Sequence, residues 1–326
     1  MLTLRISQRK SKLHMEEILQ RKDVSMIFKN KHGEFRSGWM LVLVVLVFIF
    51  LQLIAALIFG TGMALIGVDA SYDEIQFSPI YNTIAYSLSI GGMLLLFWLV
   101  YKRPFRQIGF YSNGWLKHLL LGGLSGIVFI TLQVLILLTT GAGRIERVDL
   151  NAFSDGLFLS ALLLFLFVGF FEEILTRGVM MTALKTTRNI WLIVLIPSAI
   201  FGLMHALNDN VTFYSLINLI LAGILFSYLF IKTGRLWAPI GLHITWNTFM
   251  GNGFGIPVSG ISIPSIIKVE FTGPDWFTGG TFGLEGGLLC TIMMIGGLIF
   301  IHFFVKQADG FWSIDSDMPM VRGTDR

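Results

Sequence analysis

The stretch LFLSALLLFLFVGFFEEILTRGVMM, residues 157–181, decides how the rest of the chain is read. Its first fifteen residues, Leu157 to Phe171, are uncharged. Glu172, Glu173 and Arg177 then follow inside a segment that otherwise has the length and apolarity of a bilayer-spanning helix. An ionisable side chain at mid-helix costs about 2.5–3.5 kcal/mol on insertion scales, so groups retained there are candidates for function.

Outward from this segment, the 326 residues are 54% hydrophobic and only 13% charged. A soluble globular chain carries about 25% charged residues, so the composition is that of an integral membrane protein. Apolar segments recur at about 40–67, 83–101, 117–140, 157–183, 190–206, 213–231, 236–250 and 287–305. Most approach the roughly 20 residues a helix needs to cross the hydrocarbon core; 190–206 and 236–250 are short. The expected fold is all-α: a polytopic transmembrane bundle of about eight helices in one domain, 40–305. A basic arm, 1–39, precedes it and a tail, 306–326, follows. Gly91 and Gly92, Gly122, Gly123 and Gly126, and Gly296 and Gly297 mark places where helices can approach closely.

Charge between the segments sets the expected orientation. Lys102, Arg103, Arg106 and Lys117 follow the second segment, Lys185 and Arg188 the fourth, and Lys232 and Arg235 the sixth. Asp69, Asp73 and Glu74 follow the first and Asp209 the fifth. The positive-inside rule then puts both termini in the cytoplasm, and the compact loops suggest a bacterial plasma membrane. The net charge of +4 is spread over these connections and is no nucleic-acid signature. The single cysteine, Cys290, excludes an intrachain disulfide and a Cys-rich metal site. Residues 251–286, rich in Gly, Pro and aromatics, form the longest connection. Re-entry into the membrane, a cap over a site and an interfacial aromatic belt are all open for it.

One pattern is a decoy. Glu16-Glu17-Ile18-Leu19-Gln20-Arg21 repeats the letters of Glu172 to Arg177, but it sits in the basic arm, where water solvates it and Glu17 with Arg21 is an ordinary surface pair. Only the copy in the apolar run is informative.

Helical spacing sorts the buried groups. Glu173 and Arg177 are four apart and pair on one face. Glu172 is turned about 100° away and lacks a local cation, which makes it the free carboxylate and the candidate general base. His205 follows Phe201 at the same spacing, and Asn247 follows His243. These residues make a hydrolysis kit: Glu172 takes a proton from water, His205 holds and polarises that water, and His243 and Asn247 donate to a developing oxyanion. Glu173 and Arg177 support the helix. The same residue types allow another chemistry, with Glu172, His205 and His243 around a zinc ion. The His-Glu-x-x-His zinc helix is absent, so a metal does not follow from the spacing.

Glu-Glu-x-x-x-Arg, Phe-x-x-x-His and His-x-x-x-Asn, on successive apolar helices over roughly residues 155–250, resemble the CPBP intramembrane proteases. That family includes the CAAX prenyl endopeptidases and the bacterial Abi and bacteriocin-immunity proteins. The resemblance implies a peptide-bond hydrolase whose site opens within the membrane, with an eight-helix frame. Its eukaryotic members cut a prenylated C-terminal tail after the lipidated cysteine. The family is commonly called a metalloprotease; glutamate-activated water without bound metal is the favoured expectation here, with zinc the alternative. The expected partners are the lipid bilayer and a peptide or lipidated protein entering from it, with no nucleic acid. Two other readings use the same frame: a non-hydrolytic scaffold or immunity protein, and a proton-coupled transporter, against which the lack of internal repeats counts.

Overall fold

The computed structural model describes residues 27–29, 35–67, 75 and 78–308. Nearly all of the basic arm, the decoy at Glu16–Arg21, the acidic connection with Asp69, Asp73 and Glu74, and the tail beyond Ala308 lie outside the described residues.

Each apolar segment becomes one helix: α1 (Ser37–Leu65), α2 (Pro79–Tyr101), α3 (Trp115–Thr140), α4 (Gly156–Thr187), α5 (Ile190–Leu203), α6 (Phe213–Thr233), α7 (Trp237–Thr248) and α8 (Leu288–Phe304). Among the described residues, α1, α2, α3, α4 and α6 are the 5 helices long and apolar enough to cross a membrane. The short segments stay short as helices. α5 ends at Leu203, and α7 runs on as a π-helical turn, Phe249–Gly253. The architecture is the expected polytopic helical bundle.

Local chemistry sets the ends. The Asp155 carboxylate accepts from the backbone N–H of Leu157 and Phe158 and starts α4. The Asn189 side chain does the same for α5. Thr212 and Ser215 form a reciprocal capping box at α6, which stops at Gly234 in the left-handed region.

The helices divide into a rim and a centre. α1 turns Leu46, Phe50, Leu53 and Leu57 outward, as a lipid-facing helix does. α7 is the opposite: Ile240, Leu242, His243, Trp246 and Asn247 are all buried. Glycines bring α3 against it. A Cβ on Gly122 would strike the Ala238 carbonyl, one on Gly126 would strike Thr245, and one on Gly241 would strike the Leu119 carbonyl. Thr245 Oγ1 also donates across the contact to the Gly123 carbonyl at 2.8 Å. The glycine expectation thus holds for α3. It also holds for Gly92, against Leu51, and Gly297, against Leu225, whereas Gly91 and Gly296 face open space.

The long connection 251–286, the cap, packs back on the bundle and bonds to Phe158, Asn208 and Asn218. β2 (Ile267–Phe271) pairs antiparallel with β1 (Gly143–Val148) between α3 and α4, in a register that sets Gly143 opposite Phe271 and has an irregularity between Ile145 and Arg147. This two-stranded ribbon is the only sheet among the described residues.

Candidate active site

The regular part of α4 ends at Glu173, and Ile174–Met180 continues as a π-helical turn. Thr176 marks the change: its hydroxyl donates to the Glu172 carbonyl at 2.5 Å, so a side chain takes up a carbonyl of the helix ladder. The wider turn holds Arg177, which is completely buried. A buried guanidinium must have its donors met, and here most are. Nη1 donates to Glu173 Oε1 at 3.0 Å and to Thr176 Oγ1 at 2.7 Å, and Nη2 donates to the Gly223 carbonyl on α6 at 2.9 Å. The rings of Phe201 and Phe226 cover the cation, with centroids 4.7 and 5.2 Å from Cζ.

The expected Glu173–Arg177 pair is therefore present, but it is not closed. His243 joins it: Nδ1 lies 2.9 Å from the same Glu173 Oε1. A carboxylate oxygen accepts, so the proton of that bond is on Nδ1. The other ring nitrogen, Nε2, faces Glu172 Oε2 at 3.7 Å, close but beyond a hydrogen bond. One imidazole thus lies between the two adjacent carboxylates. Helical spacing within α4 separated Glu172 from Glu173, and α7 brings them back to a common partner. Glu172 keeps an unspent oxygen: its Oε2 is buried and has no hydrogen-bond partner, as has Glu173 Oε2.

Asn247 follows one turn after His243 and is buried beside it on α7. His205 lies in the turn just after α5, and its Nδ1 is 2.9 Å from the Phe201 carbonyl. Because a carbonyl only accepts, Nδ1 donates, and Nε2 of a neutral ring is left with its lone pair. His205 makes no ion-pair contact with Glu172 or Glu173. It reaches the cluster through Phe201, whose ring centroid lies 5.3 Å from that of His205 and 5.9 Å from that of His243. A cavity of about 510 Å³ opens elsewhere, between the start of α6 and the cap, with Asn210, Tyr214 and Trp276 in its wall and none of these residues.

Among the described residues, no three His, Cys, Asp or Glu side chains are gathered so that they could hold a metal ion. Both Nδ1 atoms are committed, His243 to Glu173 and His205 to the Phe201 carbonyl, and the Arg177 guanidinium lies beside Glu173.

Sequence reasoning missed three contributors. Thr176, the Gly223 carbonyl and Phe226 carry no charge, and the last two act only across the fold. It also gave little sign of Glu285, a buried carboxylate outside this cluster in the glycine-rich run GGTFGLEGG (279–287), just ahead of α8 and outside every apolar segment. A lone acid bracketed by glycines was its only signal. Lys185, expected at the water-facing end of α4, has a buried side chain.

A multi-pass helical protein with two adjacent carboxylates, an arginine and a histidine in one buried cluster is thus defined. Comparison with known proteins finds a family model that matches the segment holding that cluster. Residues 154–249 match the family model described as "Type II CAAX prenyl endopeptidase Rce1-like". The matched segment contains all three motifs, so the resemblance read from them to the CPBP proteases is borne out. A Bacillus subtilis (strain 168) protein named "Putative membrane peptidase YdiL" is 35% identical over 79 residues, which cover 24% of this chain and 30% of that protein. The chain thus aligns with under a third of that relative's length. No solved structure matches the chain.

Proposed function

We propose that this protein is an intramembrane endopeptidase that hydrolyses a peptide bond by a glutamate-activated water, with Glu172 as the base. The observation that carries the proposal is the unspent, buried Oε2 of Glu172 beside His243. A general base needs an acceptor not already committed, within reach of the proton it removes.

Glu172 takes one proton from water, and the hydroxide attacks the scissile carbonyl carbon. His205, its Nδ1 committed to Phe201, offers the Nε2 lone pair to orient that water. The carbonyl oxygen becomes an oxyanion and accepts from His243 Nε2–H and the Asn247 amide. The tetrahedral intermediate collapses with cleavage of the C–N bond, and the proton held by Glu172 passes to the leaving nitrogen. This role sets a condition on His243. Its Nδ1 proton is committed to Glu173, so donation from Nε2 requires both ring nitrogens to be protonated. An imidazolium also balances the cluster, since Glu172 and Glu173 then offset Arg177 and His243.

The substrate is proposed by family likeness: a membrane-associated peptide, in the first instance a prenylated C-terminal tail cut near its lipidated cysteine. The basic ends of the helices favour both termini in the cytoplasm, and the compact loops favour a bacterial plasma membrane. The chain works as one helical domain, 40–305, between the arm and the tail, without a metal. The test is purified full-length protein against prenylated and unlipidated C-terminal peptides, wild type beside Glu172→Gln and His205→Ala. The proposal expects cleavage by wild type that is lost in both variants. Equal cleavage by all three would overturn it.

A further inference from the structure

Glu285 is a third buried acid, and it belongs to no part of the cluster above. It is 6% exposed, and its hydrogen-bond partners among the described residues include no cationic side chain. Its charge is met by neutral donors alone. Trp246 Nε1–H donates to Oε1 at 3.1 Å, and the Ser259 backbone N–H and hydroxyl donate to Oε2 at 3.0 and 2.5 Å. Three donors converge on it, which suits an acceptor-only group; a glutamine would turn an NH₂ toward one of them. Burying a carboxylate carries a large desolvation cost, so the contact it makes is a defined one.

That contact ends on α7. Trp246 is the residue before Asn247 and lies three after His243. Its indole stacks on Phe129 of α3 at 4.5 Å and meets Phe226 edge-on at 5.9 Å, and Phe226 packs on His243 at 5.2 Å. The glycine contacts and the Thr245–Gly123 bond bring the α3 and α7 backbones together, and His243 is tied to Glu173 on α4. The Glu285–Trp246 bond adds a further directional hold on α7, from the connection 251–286. Asn218 on α6 in turn holds the carbonyls of Glu285 and Gly287 at 2.8 and 3.0 Å, so the acid is itself fixed.

We infer that Glu285 is a positioning residue: by gripping the Trp246 indole it sets the rotation of α7, and with it the ring of His243 and the amide of Asn247. The inference rests on the roles proposed above for those two residues.

The test uses the full chain in detergent with ¹⁵N-labelled histidine and tryptophan side chains, together with turnover of a prenylated C-terminal peptide. Glu285→Gln is expected to shift the Trp246 indole resonance and the His243 ring resonances. It should lower kcat about tenfold with KM within about twofold, since misplaced groups cost rate more than binding. Ser259→Ala should move the same resonances less, and Glu270→Gln, on the exposed ribbon, should move none. If Glu285→Gln moves the indole but leaves the His243 ring and kcat at wild-type values, Glu285 is a staple of the cap and the inference is overturned. If Glu285→Gln does not fold, the same two criteria apply to Ser259→Ala. If wild type cleaves none of the peptides, the peptidase reading fails separately, and the His243 resonances alone decide the positioning role, a shift supporting it and no shift overturning it.

Discussion

The molecule buries carboxylates in two places and treats them differently. At Glu285 both oxygens are bonded, to Trp246 and Ser259, and every donor is neutral. At Glu172 and Glu173 there are the Arg177 guanidinium and the His243 imidazole, and yet one oxygen of each acid is left without a partner. A saturated buried acid has nothing left to give and can only hold. A buried acid with a spare acceptor is held by its neighbours at a cost of about 1–3 kcal/mol for the unmet group, and that arrangement has a use when the missing partner is a substrate or its water. The difference separates a structural acid from a chemical one more sharply than burial does.

The largest expected effects fall on the unsaturated cluster. Glu172→Gln should cut kcat by about 10²- to 10⁴-fold, the usual contribution of a general base, with little loss of thermal stability, because no bond to its Oε2 is removed. Retained turnover would erase the distinction between the two acids. Arg177→Met should destabilise by about 3–5 kcal/mol, because it leaves Glu173 buried without its cation. A fall in the detergent melting temperature, with loss of the folded fraction on gel filtration, would report it. Asn247→Ala should lower kcat by about 10²- to 10³-fold, as loss of one oxyanion donor does. A change confined to KM would instead assign Asn247 to binding. At the small end, Glu270→Gln breaks an exposed pair with Arg144 and should change stability by less than about 1 kcal/mol, read as an unshifted melting curve.

Much of this was legible in the sequence because it is local. Hydropathy alone marks the eight helices, since each apolar run must satisfy its backbone within itself. The i,i+4 rule alone pairs Glu173 with Arg177. The three motifs single out the residues the structure gathers around Phe201 and His243. What was not legible is what passes between helices. That His243 bonds to Glu173, and so belongs to the acid pair as well as to Asn247, depends on how α7 docks on α4. Glu285 gave little warning, because its partners lie 26 and 39 residues away. The ribbon was not legible because Gly143–Val148 is short and carries Arg144, Glu146 and Arg147, and only pairing with Ile267–Phe271 makes β1 a strand.

The most direct test of the central claim is turnover of a prenylated C-terminal peptide by wild type and Glu172→Gln, each with and without a zinc chelator. The account predicts cleavage by wild type that the chelator leaves unchanged and that Glu172→Gln abolishes. Cleavage that persists in Glu172→Gln, or wild-type cleavage that the chelator stops and added zinc restores, would contradict it.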